Sequence, residues 1–90
     1  MNTVPNLDAM SEAELMDFWN HYHRASRKDA EELIGDRRRG FMRIAATLAN
    51  YACNKATAMT CRLRGDITAA QIYEHSCQLC YDRLPEDLRW

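Results

Sequence analysis

Along residues 12–23, Leu15, Phe18, Trp19 and Tyr22 recur at three- and four-residue steps, which places them on one stripe of an α-helix. Met16 lies at the edge of the stripe, and Asp17, Asn20 and His21 take the opposite side. Ser11-x-x-Glu14 reads as a capping box in front of this helix, with Met10 and Leu15 placed as a hydrophobic staple. Residues 1–10, which include Pro5 and Asn6, read as an extended lead-in. Ser26 is the N-cap of a short second helix that buries Ala30, Leu33 and Ile34, and Gly35 suits its left-handed end. Asp36 to Gly40 follows as a basic loop.

The longest periodic segment runs from Phe41 to about Arg64. At about 100° per residue, Phe41, Ala45, Leu48, Ala52, Ala56, Met59 and Leu63 fall within a stripe about 80° wide. Met42, Ala46, Ala49 and Cys53 widen it on one flank, and Ile44, Tyr51 and Ala58 on the other. Only a narrow polar face remains, so this helix is expected to be central. Gly65 ends it, and Asp66 or Thr68 caps the next helix, over 67–84. There Ala70, Tyr73, Cys77, Cys80 and Leu84 share a stripe, Ile72 and Leu79 stand to one side, and Gln71, Glu74, His75, Gln78 and Asp82 form the wet face. Pro85 stops this helix, and 85–90 form a tail in which Leu88 and Trp90 are free to fold back. A turn as short as Arg64–Ile67 forces an antiparallel hairpin.

The pattern predicts one all-α domain over 1–90: a small bundle of about four helices around a central antiparallel hairpin. Its expected core is Leu15, Phe18, Trp19, Leu48, Ala52, Ala56, Met59, Tyr73, Cys77 and Cys80. Ninety residues with ordinary apolar and charged fractions exclude general disorder and leave a core of modest size. No apolar run reaches the roughly 18–20 residues of a membrane span, and no signal peptide is visible. Four cysteines without an export signal point to free thiols and a cytoplasmic location.

Net charge is −1, which excludes a general polycation. Residues 24–43 nevertheless hold seven basic residues (Arg24, Arg27, Lys28, Arg37, Arg38, Arg39, Arg43) against four acidic ones. Arg37, Arg38, Arg39 and Arg43 are therefore candidates for gripping phosphate in a nucleic-acid-binding accessory protein. Against that reading, the following helix is mostly Ala, Met, Leu and Thr, and its linker is long for a helix-turn-helix. A solvated basic loop is favoured.

Cys77-x-x-Cys80 is the one pair with metal-like or redox-like spacing, and the hairpin brings Cys53 level with residue 78. A thiol or metal site at Cys53, Cys77 and Cys80 is thus an alternative. The packing account is stronger, because both helix cysteines lie on the apolar stripe and His75 points roughly 160° away from Cys77. No metal and no cofactor are expected. Arg64-Gly65-Asp66 reads as helix stop and restart, and no Gly-rich phosphate loop, HExxH or nucleophile elbow nominates a catalytic residue.

The least ordinary feature is the polar face of the long helix. Arg43, Thr47, Asn50, Asn54, Thr57 and Cys61 recur at alternating steps of four and three. Between Ile44 and Cys61 the sole charge is Lys55, which lies off this line. Solvated helix faces favour Glu, Lys and Arg, whereas Thr and Asn are poor helix formers. Three accounts stand: a partly shielded surface, a contact inside the same chain, or a meeting with another molecule. The functional expectation is a small non-enzymatic interaction protein that self-associates through this stripe, with a protein (self or other) as partner, nucleic acid less favoured and no membrane.

Overall fold

The computed structural model describes residues 4–90. They form four α-helices, α1 (Glu12–Tyr22), α2 (Arg27–Ile34), α3 (Phe41–Leu63) and α4 (Ile67–Asp82), with single 3-10 turns at Leu7–Ala9 and Glu86–Leu88. There is no strand among the described residues, and the helices pack as a small bundle. The molecule measures 41 × 22 × 20 Å. Its long dimension follows α3, whose 23 residues span about 35 Å at 1.5 Å each. No helix among the described residues is long and apolar enough to cross a membrane.

Local chemistry sets the helix ends. The Ser11 hydroxyl accepts from the Glu14 amide at 3.2 Å while the Glu14 carboxylate accepts from the Ser11 amide at 3.0 Å, which is the expected capping box. Ser26 accepts from the Asp29 amide at 3.1 Å to start α2. Gly35 closes that helix at φ +92°, a conformation nearly free to glycine and costly to other residues. Between α3 and α4, Gly65 stands at φ +79° while the Asp66 amide donates to the Cys61 carbonyl and the Gly65 amide to that of Arg62. This Schellman pattern satisfies the last carbonyls of α3. Of the two cap candidates for α4, Asp66 fills the role, accepting from the Ala69 amide at 3.1 Å.

α3 is central. α1 runs antiparallel to it, since Glu12 meets Thr60 while Trp19 comes level with Asn50 and Cys53. α4 is antiparallel to α3 through the hairpin, with Arg62 on Glu74 and the Cys77 thiol on the Tyr51 carbonyl. α1 and α4 therefore run parallel to each other on two flanks of α3, and α2 also packs on α3. Leu7, Leu15, Leu48 and Leu88 are fully buried.

The structure corrects three expectations. The lead-in is not extended over its described part: Leu7–Ala9 wind into a 3-10 turn, and Val4 and Leu7 join the core. Residues 1–3 of that segment lie outside the described residues. Tyr73 is 37% exposed rather than core, and Leu63 is 84% exposed despite sharing the apolar stripe of α3. Leu63 stands at the hairpin end beyond Thr60, where α1 only begins, so little remains to cover it. Trp19 and Met59 pack against the core only partly buried. The tail does fold back: Leu84 and Leu88 are buried and Trp90 packs on the core.

Candidate functional site

Helices α1 and α4 leave one side of α3 uncovered between them. By the roughly 100° rotation per residue, Asn50 and Asn54 lie about 160° around α3 from buried Ala52. They floor an open groove of about 420 Å³, with Cys53 beside them. Trp19 of α1 forms one wall, and Ser76, Leu79, Cys80 and Arg83 of α4 form the other. A second hollow of about 270 Å³ lies one turn further along α3, where Glu12 and Met16 face Ala56, Thr57 and Thr60.

Asn50 and Asn54 of the polar stripe thus form the groove floor and Thr57 lines the neighbouring hollow, and the members of the stripe differ in what they offer. Thr47 and Thr57 turn their hydroxyls onto their own helix, donating to the carbonyls of Arg43 at 3.0 Å and Cys53 at 2.8 Å. That leaves them as methyl-bearing surface with spare acceptor capacity. Asn54 lies beside Cys80 where α3 meets α4. Asn50 and Arg43 are exposed, and Cys61 is half-buried near the hairpin end. The walls are more apolar than the floor. On α4, Ile72, Ser76, Leu79 and Arg83 make one stripe along the groove rim; Ile72 is 61% exposed and Leu79 45%. On α1, the Trp19 ring stacks on His23 with centroids 4.1 Å apart, and His23 Nδ1 lies 2.9 Å from the Trp19 carbonyl oxygen, so the indole is held in place.

The cysteines do not converge. Cys77 and Cys80 are three residues apart, roughly 60° around the helix, enough to straddle the line of contact with α3. Cys80 opens on the groove with Cys53, while Cys77 opens on a separate hollow of about 180 Å³ beside Tyr51 and Lys55. All four cysteines are free thiols. Burial pushes Cys77 up to about 12 and also raises Cys80, so both thiols stay protonated at neutral pH. Among the described residues, no group of three His, Cys, Asp or Glu side chains is placed to hold a metal ion.

The basic loop is largely neutralised. Arg37 Nε donates to Glu31 at 2.7 Å. Arg38 is clamped between Asp36 and Asp87 by four hydrogen bonds of 2.7–2.8 Å, tying the loop to the tail. Arg39 and Arg43 are exposed without an ion pair among the described residues.

Sequence reading missed a clasp at the opposite side of α3. Asp8 accepts from the Tyr51 hydroxyl at 2.5 Å and from the Trp90 indole at 2.8 Å, and Lys55 Nζ stands 3.4 Å away. The Trp90 ring meets Tyr51 and Tyr81 edge-on, each with centroids 4.9 Å apart, and its carbonyl accepts from the Tyr81 hydroxyl. Partial burial raises the Asp8 carboxyl, but the bonds from Tyr51 and Trp90 and the Lys55 charge outweigh it and hold the group below its ordinary value. Burial and the Asp8 contact raise the Tyr51 phenol. These polar groups are engaged with one another, so the cluster joins the two ends of the described chain rather than presenting reactive groups.

No protein-family model matches this chain, and no curated protein or solved structure is detectably similar to it.

Proposed function

We propose that this chain is a small non-enzymatic interaction protein, and that the groove between α1 and α4 receives a helix from a protein partner. One observation carries the reading. The rim residues Ile72 and Leu79 stand in water on one stripe of α4, beside a floor with no charged side chain at Asn50, Cys53 or Asn54. Covering apolar surface is worth about 25 cal/mol per Å². A helix lying along the groove gains that term while desolvating amides and hydroxyls, which is far cheaper than desolvating Lys or Glu. The absence of charge from Thr47 to Cys61, which helix propensity does not account for, fits such a contact. Free thiols at all four cysteines fit a reducing compartment such as the cytoplasm.

The test is photo-crosslinking in cells with a reactive side chain placed at Asn50. A crosslinked protein partner is expected, and Ile72→Glu with Leu79→Glu is expected to abolish it while the circular dichroism spectrum and melting temperature stay unchanged. Crosslinking that is indifferent to both substitutions overturns the reading.

A further inference from the structure

The tail beyond α4 is tied to the rest of the molecule through carboxylates. Residues 84–90 contain only a single 3-10 turn, and they bury Leu84 and Leu88. Asp87 accepts two hydrogen bonds of 2.8 Å from Arg38, and the Trp90 indole donates to Asp8 at 2.8 Å. The Tyr81 hydroxyl also holds the Trp90 carbonyl, and Arg89 donates to the carbonyls of Leu84 and Asp82. Ordering a segment of this length outside a helix costs about as much as burying two leucines and an indole returns. The carboxylate ties therefore decide whether the segment stays down.

We propose that residues 84–90 are a strap released by acid, which lets go of Arg38 and Asp8 while the four helices stay folded. Asp87 faces Arg38 and, across it, Asp36. Asp8 faces Tyr51 and Lys55 of α3, Trp90 of the strap, and Glu74 and Cys77 of α4 around the shared hollow. Hydrogen bonds from Arg38 hold both Asp36 and Asp87 below the ordinary carboxylate range, and Arg62 does the same for Glu74. Asp8 is also held low, against its partial burial, by Tyr51, Trp90 and Lys55. Carboxyls of this kind stabilise fully above their unfolded value and lose that effect as pH falls through the folded one. The strap is therefore closed at neutral pH and loses both anchors in one acid window. Protonated Asp87 no longer pairs with the guanidinium, and protonated Asp8 no longer attracts the Lys55 ammonium. The buried contacts among α1, α3 and α4 are apolar and do not titrate in acid, so the bundle outlasts the strap. Release puts Leu84 and Leu88 in water and uncovers Tyr51 and Tyr81, against which the indole rests.

Two-dimensional NMR of the full chain between about pH 7 and pH 2, with circular dichroism in parallel, follows strap and helices separately. The Trp90 indole and the Leu88 and Arg89 amides are expected to move together to unstructured-chain positions, with a midpoint below about pH 4, while the helical signal is retained. Asp87→Asn and Asp8→Asn are each expected to raise the open population about fivefold at pH 7, the worth of one hydrogen bond, and to flatten the acid transition. Circular dichroism at pH 7 establishes that both variants keep their helices. Glu14→Gln, which changes another low-titrating carboxyl in the α1 cap outside the strap, is expected to leave the midpoint where it was. Strap signals that change only together with the helical signal overturn the inference, as does a local transition that neither aspartate substitution alters. An effect of one substitution alone overturns the strap with two anchors.

Discussion

Asp8 and Trp90 show how much a single contact organises here. Asp8 stands in a one-turn 3-10 segment and Trp90 in the tail, yet the carboxylate gathers the Tyr51 hydroxyl, the indole N–H and the Lys55 ammonium. Because the Asp8 carboxyl titrates below the ordinary carboxylate range in the folded protein, ionised Asp8 stabilises the fold. That contribution is complete above the unfolded value and is lost as pH falls through the lowered native one. Asp8→Asn is therefore expected to cost about 1 kcal/mol at pH 7, the worth of a typical hydrogen bond at a part-exposed site, and nothing near pH 2. Denaturant titrations at the two pH values measure the difference. Trp90→Ala removes two edge-to-face contacts as well as that bond, and is expected to cost about 2 kcal/mol in the same assay. Position matters as much as residue type. Leu48 and Leu63 occupy one stripe of one helix, but Leu48→Ala is expected to cost about 2–5 kcal/mol and Leu63→Ala under about 0.5, because one is fully buried and the other is 84% exposed.

Among the elements, α3 departs furthest from the ordinary amphipathic helix. Between Ile44 and Cys61 its polar line carries no charge; its apolar side meets the core, its flanks meet α1 and α4, and Asn50 and Asn54 floor the groove. Its stop depends on backbone geometry. A Cβ at position 65 has nothing within 4 Å, so Gly65→Ala is expected to cost about 1 kcal/mol through the left-handed backbone alone, without a clash. Thermal unfolding measures it, with Ser11→Ala, which removes a cap worth about 1 kcal/mol, as a calibrating variant. The helix positions and caps were legible in the sequence because they rest on residues three and four apart. Tyr73 was misassigned to the core because periodicity reports which way a side chain faces, and not whether another element extends far enough to cover it.

At the scale of the whole molecule, loop and tail are bound together by Arg38 between Asp36 and Asp87. Those ion pairs engage Arg37 and Arg38 and leave Arg39 and Arg43 as the exposed charges of the cluster, so a titration with duplex DNA at 50 mM salt is expected to show no binding that Arg38→Ala weakens. The same bundle leaves Ile72 and Leu79 in water along one side of α4. The stripe from Thr47 to Cys61 stood out in sequence as charge-free. Its surroundings did not, since the walls come from α1 and α4, whose relation to α3 is a matter of packing.

Periodicity, caps and turn residues by themselves determined four helices, their ends and the central hairpin, because each depends on atoms within about one helical turn along the chain. Tertiary structure alone decided the rest: which gap stays open over the polar face of α3, the parting of Cys77 from Cys80 and Cys53, and the clasp joining residues 82 positions apart. Such contacts form between segments with no fixed spacing in sequence, so only the balance of burial across the whole bundle selects them.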